Sequence, residues 1–528
     1  MRTFLRFGPF GTCVLLAIFG TVLAVVVSPL WWILGGPMLA LSAVGVWNLL
    51  QREHTVLRNY PVIGHARYIA EFIRPEVLQY FVENDTEGVP FDRDTRATVY
   101  SRAKGESDKK SFGTERDLYQ VGAEFLTHSV TSRIDTLPGL RITVGGPQCD
   151  HPYDMSILNV SAMSFGSLSA NAILALNGGA KLGGFSHDTG EGGISEYHRR
   201  PGGDLVWEVG TGYFGCRTAD GNFDPGLFAE KASEPQVKMV SLKLSQGAKP
   251  GLGGVMPGAK VTPEIAAIRG LPVGVDCISP PSHSAFSTPI EMMEFLAKFR
   301  ELAGGKPMGI KLCVGRKVEF LAMIKAMLAT GIYPDFVSID GAEGGTGAAP
   351  QEFEDNIGLP LTDGLMFARN ALSGAGIRHH IRIGAAGKIA TGSDIVKRII
   401  QGADYALSAR AMMFAVGCIQ ATKCHTNHCP TGVTTQDPKR MRALDVVDKT
   451  ERVYKYHQKT VMSAARIVAS LGVDHTDELH PSMLIRRVSP TETSSYAELY
   501  PSLESGQLLD DPPPGWRADW NRARAEEF

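Results

Sequence analysis

From about residue 155 to 430, short runs rich in β-branched and aromatic residues alternate with helical patterns. Strands that alternate with helices imply βαβ units around a parallel sheet. Strands are expected at 157–161, 183–187, 237–244, 271–277, 308–313, 335–340, 380–384 and 405–409. Helices are expected at 170–181, 289–302, 318–330, 364–373 and 393–401. Eight strands over about 275 residues match an α/β chain folded as a (β/α)8 TIM-type barrel, whose typical size is about 250. A doubly wound open sheet is the alternative, and the count alone does not separate the two.

The N-terminus constrains the chain differently. No charged residue lies between Arg6 and Arg52. That run is too long for one span of about 20 residues and suits two. It is broken by Ser28-Pro29 and Gly35-Gly36-Pro37, with Trp31 and Trp32 between, where an interfacial aromatic belt would sit. A transmembrane helical hairpin over 10–27 and 33–50 is expected. Arg2 and Arg6 before it, and Arg52, Arg58 and Arg67 after it, place both ends in the cytoplasm. A secretory signal would have a shorter apolar region and a small-residue cleavage site. The expected organisation is a membrane anchor at 1–52, a mixed cap or docking region at 53–150, the barrel at 151–440, and a helical and irregular tail at 441–528. Within the cap, 68–82 reads as amphipathic and 102–110 as polar and exposed. The tail beyond 485 reads as irregular and wrapped on the surface.

A formal net charge of -2 leaves no basic stripe for a nucleic acid. The chain is expected to sit at the cell membrane with its catalytic domain in the cytoplasm.

In a barrel, the site is built from loops at the strands' C-terminal ends, and those after strands 7 and 8 commonly hold a phosphate. Here they read Gly384-Ala385-Ala386-Gly387-Lys388 and Ala409-Arg410-Ala411. Small residues let backbone N–H groups approach an anion, though ordinary barrel turns also favour glycine. Lys311 stands amid apolar residues in a strand pattern, and such a lysine is rarely buried without a partner. The loop Gly341-Ala342-Glu343-Gly344-Gly345-Thr346-Gly347 can lie flat beside a planar ring. No G-x-G-x-x-G follows a strand with an acidic residue downstream, so a Rossmann-type nicotinamide site is not indicated.

Of eight cysteines, three are bunched as Cys418, Cys424 and Cys429. Three thiolates on a loop can hold an iron–sulfur cluster. A zinc ion would take a fourth ligand, which His425 or His428 supplies. Plain packing is the third option.

Several stretches together resemble the synthase region of the glutamate synthase family. They are Ser161-Ala162-Met163-Ser164-Phe165-Gly166-Ser167, Thr189-Gly190-Glu191-Gly192-Gly193, Gln246-Gly247-Ala248-Lys249-Pro250-Gly251, Lys260-Val261-Thr262, Ile278-Ser279-Pro280-Pro281, Gly344-Gly345-Thr346-Gly347 and the segment from Lys423 through Cys429-Pro430-Thr431-Gly432-Val433. The chain also resembles the family's short, membrane-anchored FMN-binding members upstream, at Asn84-Asp85-Thr86-Glu87-Gly88 and Phe91-Asp92-Arg93. The resemblance implies FMN in the barrel and a [3Fe-4S] cluster on Cys418, Cys424 and Cys429. Electrons would pass from cluster to FMN, and hydride from reduced flavin to 2-iminoglutarate formed from 2-oxoglutarate and ammonia. The electron donor would be external, such as ferredoxin or a membrane redox partner. Carried over by position, FMN would meet Ser161, Ala162, Met163, Ser164, Gln246, Lys311, Asp340, Gly344, Gly345, Thr346, Gly384, Gly387, Lys388, Ala409 and Arg410. Glu191, Lys249 and Arg269 would meet the substrate.

Three departures stand out. The chain begins Met1-Arg2-Thr3, without the N-terminal nucleophilic cysteine of a glutaminase domain. Leu252 and Val255 stand where the family carries polar residues. Ser282-His283-Ser284 stands where the family has a double histidine. A different amino or imino acid as substrate, or a non-enzymatic redox module, are therefore the alternative readings.

Overall fold

The structure, a computed structural model, describes residues 2–133 and 140–528, with the side chains of residues 2–5 outside the described residues. It has two compact units, Met1–Pro90 and Phe91–Phe528.

In the first unit, helices Arg2–Val26 and Trp32–Leu50 are joined by the 3-10 turn Pro29–Trp31. The break falls where proline meets the Ser28 hydroxyl, which accepts the Leu30 N–H at 3.4 Å. The two helices touch through glycine. A Cβ on Gly20 would stand 2.7 Å from the Gly35 Cα, so only small residues allow this approach. Both helices are long and apolar enough to cross a bilayer. The amphipathic stretch forms helix His65–Val77 and continues as a π-turn over Leu78–Val82.

The second unit is built on a closed parallel barrel. Its strands are β1 (Leu158–Val160), β2 (His187–Asp188), β3 (Leu205–Val209), β4 (Val237–Lys243), β5 (Met308–Leu312), β6 (Phe336–Asp340), β7 (Arg382–Ala386) and β8 (Tyr405–Ser408). Pairing of Ala406 on β8 with Leu158 on β1 closes the ring and excludes the open sheet. The expected helices form, each end within three residues of its expected place.

Two strand expectations are corrected. The segment 271–277 is not a barrel strand. Pro272 and the left-handed Gly274 (φ 74°) turn it away, and only Cys277–Ile278 pairs, with Val255–Met256 outside the barrel. Its place is taken by β3, whose five residues are all buried and whose Glu208 interrupts the apolar run. The expected strand at 183–187 shrinks to β2 because helix Ala170–Gly183 runs on to the left-handed Gly184 (φ 62°).

Two further expectations hold in part: residues 104–110 are exposed and most of the tail lies at the surface, but Arg102 is buried and the tail carries regular elements. Arg102 is 6% exposed, and it donates to Asp108 Oδ2 at 2.8 Å and Thr460 Oγ1 at 3.2 Å. Beyond residue 485 the chain is ordered: Leu484–Arg487 pairs with Glu124–Leu126 and Thr493–Ser495, and Trp516 stacks on Phe367 at 5.0 Å.

The 25-residue helix Val446–Ser470 covers the barrel beside helix Ala170–Gly183. A Cβ on Gly179 would stand 2.5 Å from Val453 Cγ1 and 3.2 Å from the Thr450 carbonyl oxygen. Gly179→Ala is therefore expected to destabilise by about 1–3 kcal/mol from overpacking, although alanine favours the helix by about 1 kcal/mol. Urea denaturation reads this, and an unmoved or raised midpoint would show that the seam has room.

Candidate active site

The C-terminal strand ends carry a ring of charge. Lys243 and Lys311 are register partners on β4 and β5. Lys311 Nζ donates to Glu208 Oε2 at 2.8 Å, and both side chains are buried. Lys243 Nζ lies 3.9 Å from Glu208 Oε1 and 3.3 Å from Glu191 Oε2, and donates to Gln246 Oε1 at 2.6 Å. A continuous alternation of charge thus runs from Lys311 through Glu208 and Lys243 to Glu191. Burial alone would lower the Lys311 pKa, but Glu208, Asp340 and Asp188 hold it above the ordinary lysine value. Burial raises the Asp188 carboxyl, with Glu208 adding to the effect. Burial also raises Asp340, which accepts the Gly247 N–H at 2.9 Å.

Glu191 sits against two glycines. A Cβ on Gly210 or Gly254 would come within 2.8 Å or 1.8 Å of its carboxylate oxygens. Burial works against its charge, but Lys243, Arg269 and Lys249 together hold its pKa below the usual range. Arg269 closes helix Pro263–Arg269 and is 4% exposed, so it is not a surface charge. Its guanidinium donates to Ser164 Oγ and the Phe165 carbonyl, both at 3.2 Å, and lies over the Phe214 ring at 5.1 Å. Lys249 Nζ donates to the Ala348 carbonyl at 2.8 Å, and burial lowers its pKa to about 8. Three cations thus act on the Glu191 carboxylate, with Lys243 shared with Glu208, an arrangement that presents Lys249 and Arg269 to an anionic ligand.

The departures surround this pocket. Val255 pairs with Ile278, and Gly254 accepts the Ser279 N–H at 2.8 Å. His283 Nε2 donates to the Lys243 carbonyl at 2.9 Å, which leaves Nδ1 to accept from the Tyr213 hydroxyl at 3.0 Å. Burial lowers its pKa to about 4, so it is neutral.

The residues expected to hold FMN mostly gather at the same mouth. Ser161 donates its N–H to the Ser408 carbonyl at 3.0 Å. Ala162, Met163 and Ser164 continue that turn, with Gly190 so close that a Cβ would stand 2.7 Å from the Ser164 nitrogen. Gly344, Gly345 and Thr346 follow β6. Arg410, next to Ala409 at the end of β8, donates to the Glu343 carbonyl at 2.6 Å. Gly387 and Lys388 both have left-handed backbone, φ 147° and 49°. The Lys388 conformation is costly for a side chain and is held by its surroundings. Partial burial, then Arg410, lowers the Lys388 pKa. Among the described residues neither cation forms an ion pair with a carboxylate. Gly384 is the exception: it lies inside β7, where a Cβ would meet the Tyr405 ring at 2.6 Å. The strand runs two residues further than expected, so Gly384 makes room for packing and is not in the loop.

Cys418, Cys424 and Cys429 are free thiols on the loop that follows helix Arg410–Val416. Burial raises Cys418 to about 12, with Cys424 and Cys429 adding to it. Burial also raises Cys424, whereas for Cys429 hydrogen bonds from the Thr431 and Thr434 side chains and backbone outweigh burial and bring it to about 7. Gln420, Thr422 and Asn427 have left-handed backbone (φ 58°, 51° and 64°), so this loop is held in a strained form. His425 and His428 are exposed. Among the described residues no three His, Cys, Asp or Glu side chains are placed to share one metal ion.

Sequence reasoning missed Asp188, Glu208 and Lys243. The signal that marked Lys311, one charge inside an apolar strand, is also present at Glu208.

A family model described as a conserved region in glutamate synthase matches residues 152–474. A glutamate synthase large subunit-like protein, YerD of Bacillus subtilis (strain 168), is 37% identical over 494 residues, which cover 86% of this chain and 94% of that protein. An archaeal-type glutamate synthase (NADPH) of Thermotoga neapolitana is 33% identical over 320 residues, and the chain spans 60% of its length from 60% of its own. Among solved structures, mandelate oxidase with (S)-4-hydroxymandelic acid has a TM-score of 0.44 at 12% identity, covering 81% of this chain and 97% of that one.

Proposed function

Because the chain belongs to the glutamate synthase family, we propose that it is an oxidoreductase acting at a CH–NH2 centre, which reduces 2-iminoglutarate, formed from 2-oxoglutarate and ammonia, to L-glutamate. The observation that carries this is the buried set Lys243, Lys249 and Arg269 around Glu191, next to the Lys311–Glu208 pair. A substrate with two carboxylates needs such an excess of cations.

FMN fits the residues at the mouth. Lys388 and Arg410 stand on the loops after β7 and β8 without a carboxylate in an ion pair with either among the described residues, which leaves them to meet a phosphate. Lys311, the 161–164 turn and the 344–346 loop would hold the ring. A cluster on Cys418, Cys424 and Cys429 is supported by the three thiols sharing one loop, where Cys424 and Cys429 act on Cys418. Bound FMN supplies hydride, and a [3Fe-4S] cluster supplies single electrons from an external donor such as ferredoxin or a membrane redox partner.

The chain's own residues do the rest. Arg269 offers a planar fork to one carboxylate. Glu191, held ionised, accepts N–H bonds from ammonia or the imine nitrogen. Lys249, with a pKa of about 8, gives a proton to the keto oxygen as water leaves. The protonated form is the active one, so kcat/KM for 2-oxoglutarate is expected to fall as pH rises through about 8. Lys249→Arg, which keeps the charge but releases no proton in this range, should lower the rate and remove that alkaline limb, and a limb that survives the substitution assigns it elsewhere.

Turnover with a reduced donor, 2-oxoglutarate and ammonium tests the reaction; flavin that stays reduced would sink it. Val255, next to Gly254 against Glu191, and Leu252, whose N–H meets the Lys249 carbonyl, favour one second reading: a different keto or imino acid in the same pocket. A screen of keto acids with ammonium separates the two, and no turnover with any leaves a non-enzymatic redox module.

The two apolar helices Arg6–Val26 and Pro29–Leu50 support a membrane anchor with the catalytic unit in the cytoplasm. Release of the protein by alkaline carbonate would overturn that.

A further inference from the structure

Lys260 ends the single 3-10 turn Gly258–Lys260 and is 3% exposed. Its ammonium donates to the Ser167 carbonyl at 3.0 Å and the Cys424 carbonyl at 3.1 Å. Ser167 belongs to the turn after β1, on the flavin side of the mouth. Cys424 is the middle of the three cysteines. One buried side chain therefore ties the two loops together.

Its electrostatic surroundings are unusual within this chain. Lys311 and Lys243 have carboxylate oxygens at 2.8 Å and 3.3 Å. Lys249, which also bonds a carbonyl, has Glu191 among its charged neighbours. Among the described residues Lys260 forms no ion pair with a carboxylate; burial works against its charge, and the Cys424 and Cys429 thiols act in its favour while Arg269 acts against it. Arg269 carries the same sign. A buried cation without an anion is costly. Thiolates on Cys424 and Cys429 would supply the counter-charge, and a bound metal would keep them deprotonated.

We propose that Lys260 is a positioning residue for the metal centre on Cys418, Cys424 and Cys429, a fixed cation that binds the cluster loop to the flavin turn and raises the cluster's reduction potential. This rests on the cluster reading given above. The reduced cluster is the more negative form, so a fixed positive charge beside its thiolates stabilises it.

The test is a redox titration followed by electron paramagnetic resonance on the full chain with flavin and cluster loaded, for the wild type, Lys260→Met and Lys260→Arg. The cluster midpoint in Lys260→Met is expected to shift to lower potential, with the flavin midpoint moving less, and Lys260→Arg is expected to restore most of the shift. A merely structural strut would not move the midpoint of a variant that folds and holds iron. An unmoved midpoint in Lys260→Met therefore overturns the proposal. Should Lys260→Met lose its iron, retention in Lys260→Arg supports the need for charge, and equal loss in both overturns it. A wild type that holds no iron would overturn the cluster reading as well, which is distinct from an iron-loaded wild type with an unmoved methionine variant.

Discussion

Lys311→Met is expected to destabilise the barrel by about 3–5 kcal/mol, the usual cost of removing one partner of a buried ion pair. Lys311 Nζ lies 2.8 Å from Glu208 Oε2, and the next cation, Lys243, stands 3.9 Å from the other oxygen. Asp188 and Asp340 also lose a neighbour that now lowers their pKa values. Methionine fills the space without the charge, so the loss is electrostatic and not a cavity effect. The pH dependence follows from its sign. Buried carboxyls without a cation have folded pKa values above their unfolded ones. The variant's deficit should be smallest at low pH and grow as pH rises past them. Denaturation of both proteins across pH 5–8 reads this, and a deficit that does not change with pH would mean the carboxylates have another partner. FMN content should fall with the same substitution, because Lys311 is the one buried cation on β5 at the expected ring position.

Cys424→Ala is expected to abolish the cluster. Cys424 is the middle one of the three proposed ligands, and its backbone carbonyl is held by Lys260 at 3.1 Å. Two remaining thiols cannot hold three irons. Iron analysis and visible absorption should fall to background while FMN stays bound, since the residues proposed to hold FMN lie outside the 418–429 loop. Donor-dependent turnover should vanish with the iron. Iron and absorption that survive the substitution would return the cysteines to packing.

The positions of charges in apolar strands were only partly readable. Lys311 stood out because a lysine among apolar residues needs a partner. Glu208, that partner, sat in Leu205–Val209, a five-residue strand without helical or turn markers, and was passed over. The segment 271–277 took its place because it is rich in β-formers, although Pro272 and Gly274 already argued for a turn. Arg102 was read as exposed from its polar neighbours; its burial depends on Thr460, which lies 358 positions away along the chain.

The sequence by itself determined the strand–helix alternation, the two apolar helices and the cysteine spacing, because these follow from local propensity and periodicity. Ordered motifs also marked Glu191, Lys249 and Arg269 as one pocket. Only the tertiary structure decided that the sheet closes, since closure rests on β8 meeting β1. Likewise only the fold showed that Lys243 links Glu191 to Glu208, and that Lys260 reaches both the flavin turn and the cysteine loop. Charges from separate strands and loops meet when register and burial are set, and an interaction of a few ångströms leaves no trace in sequence separation.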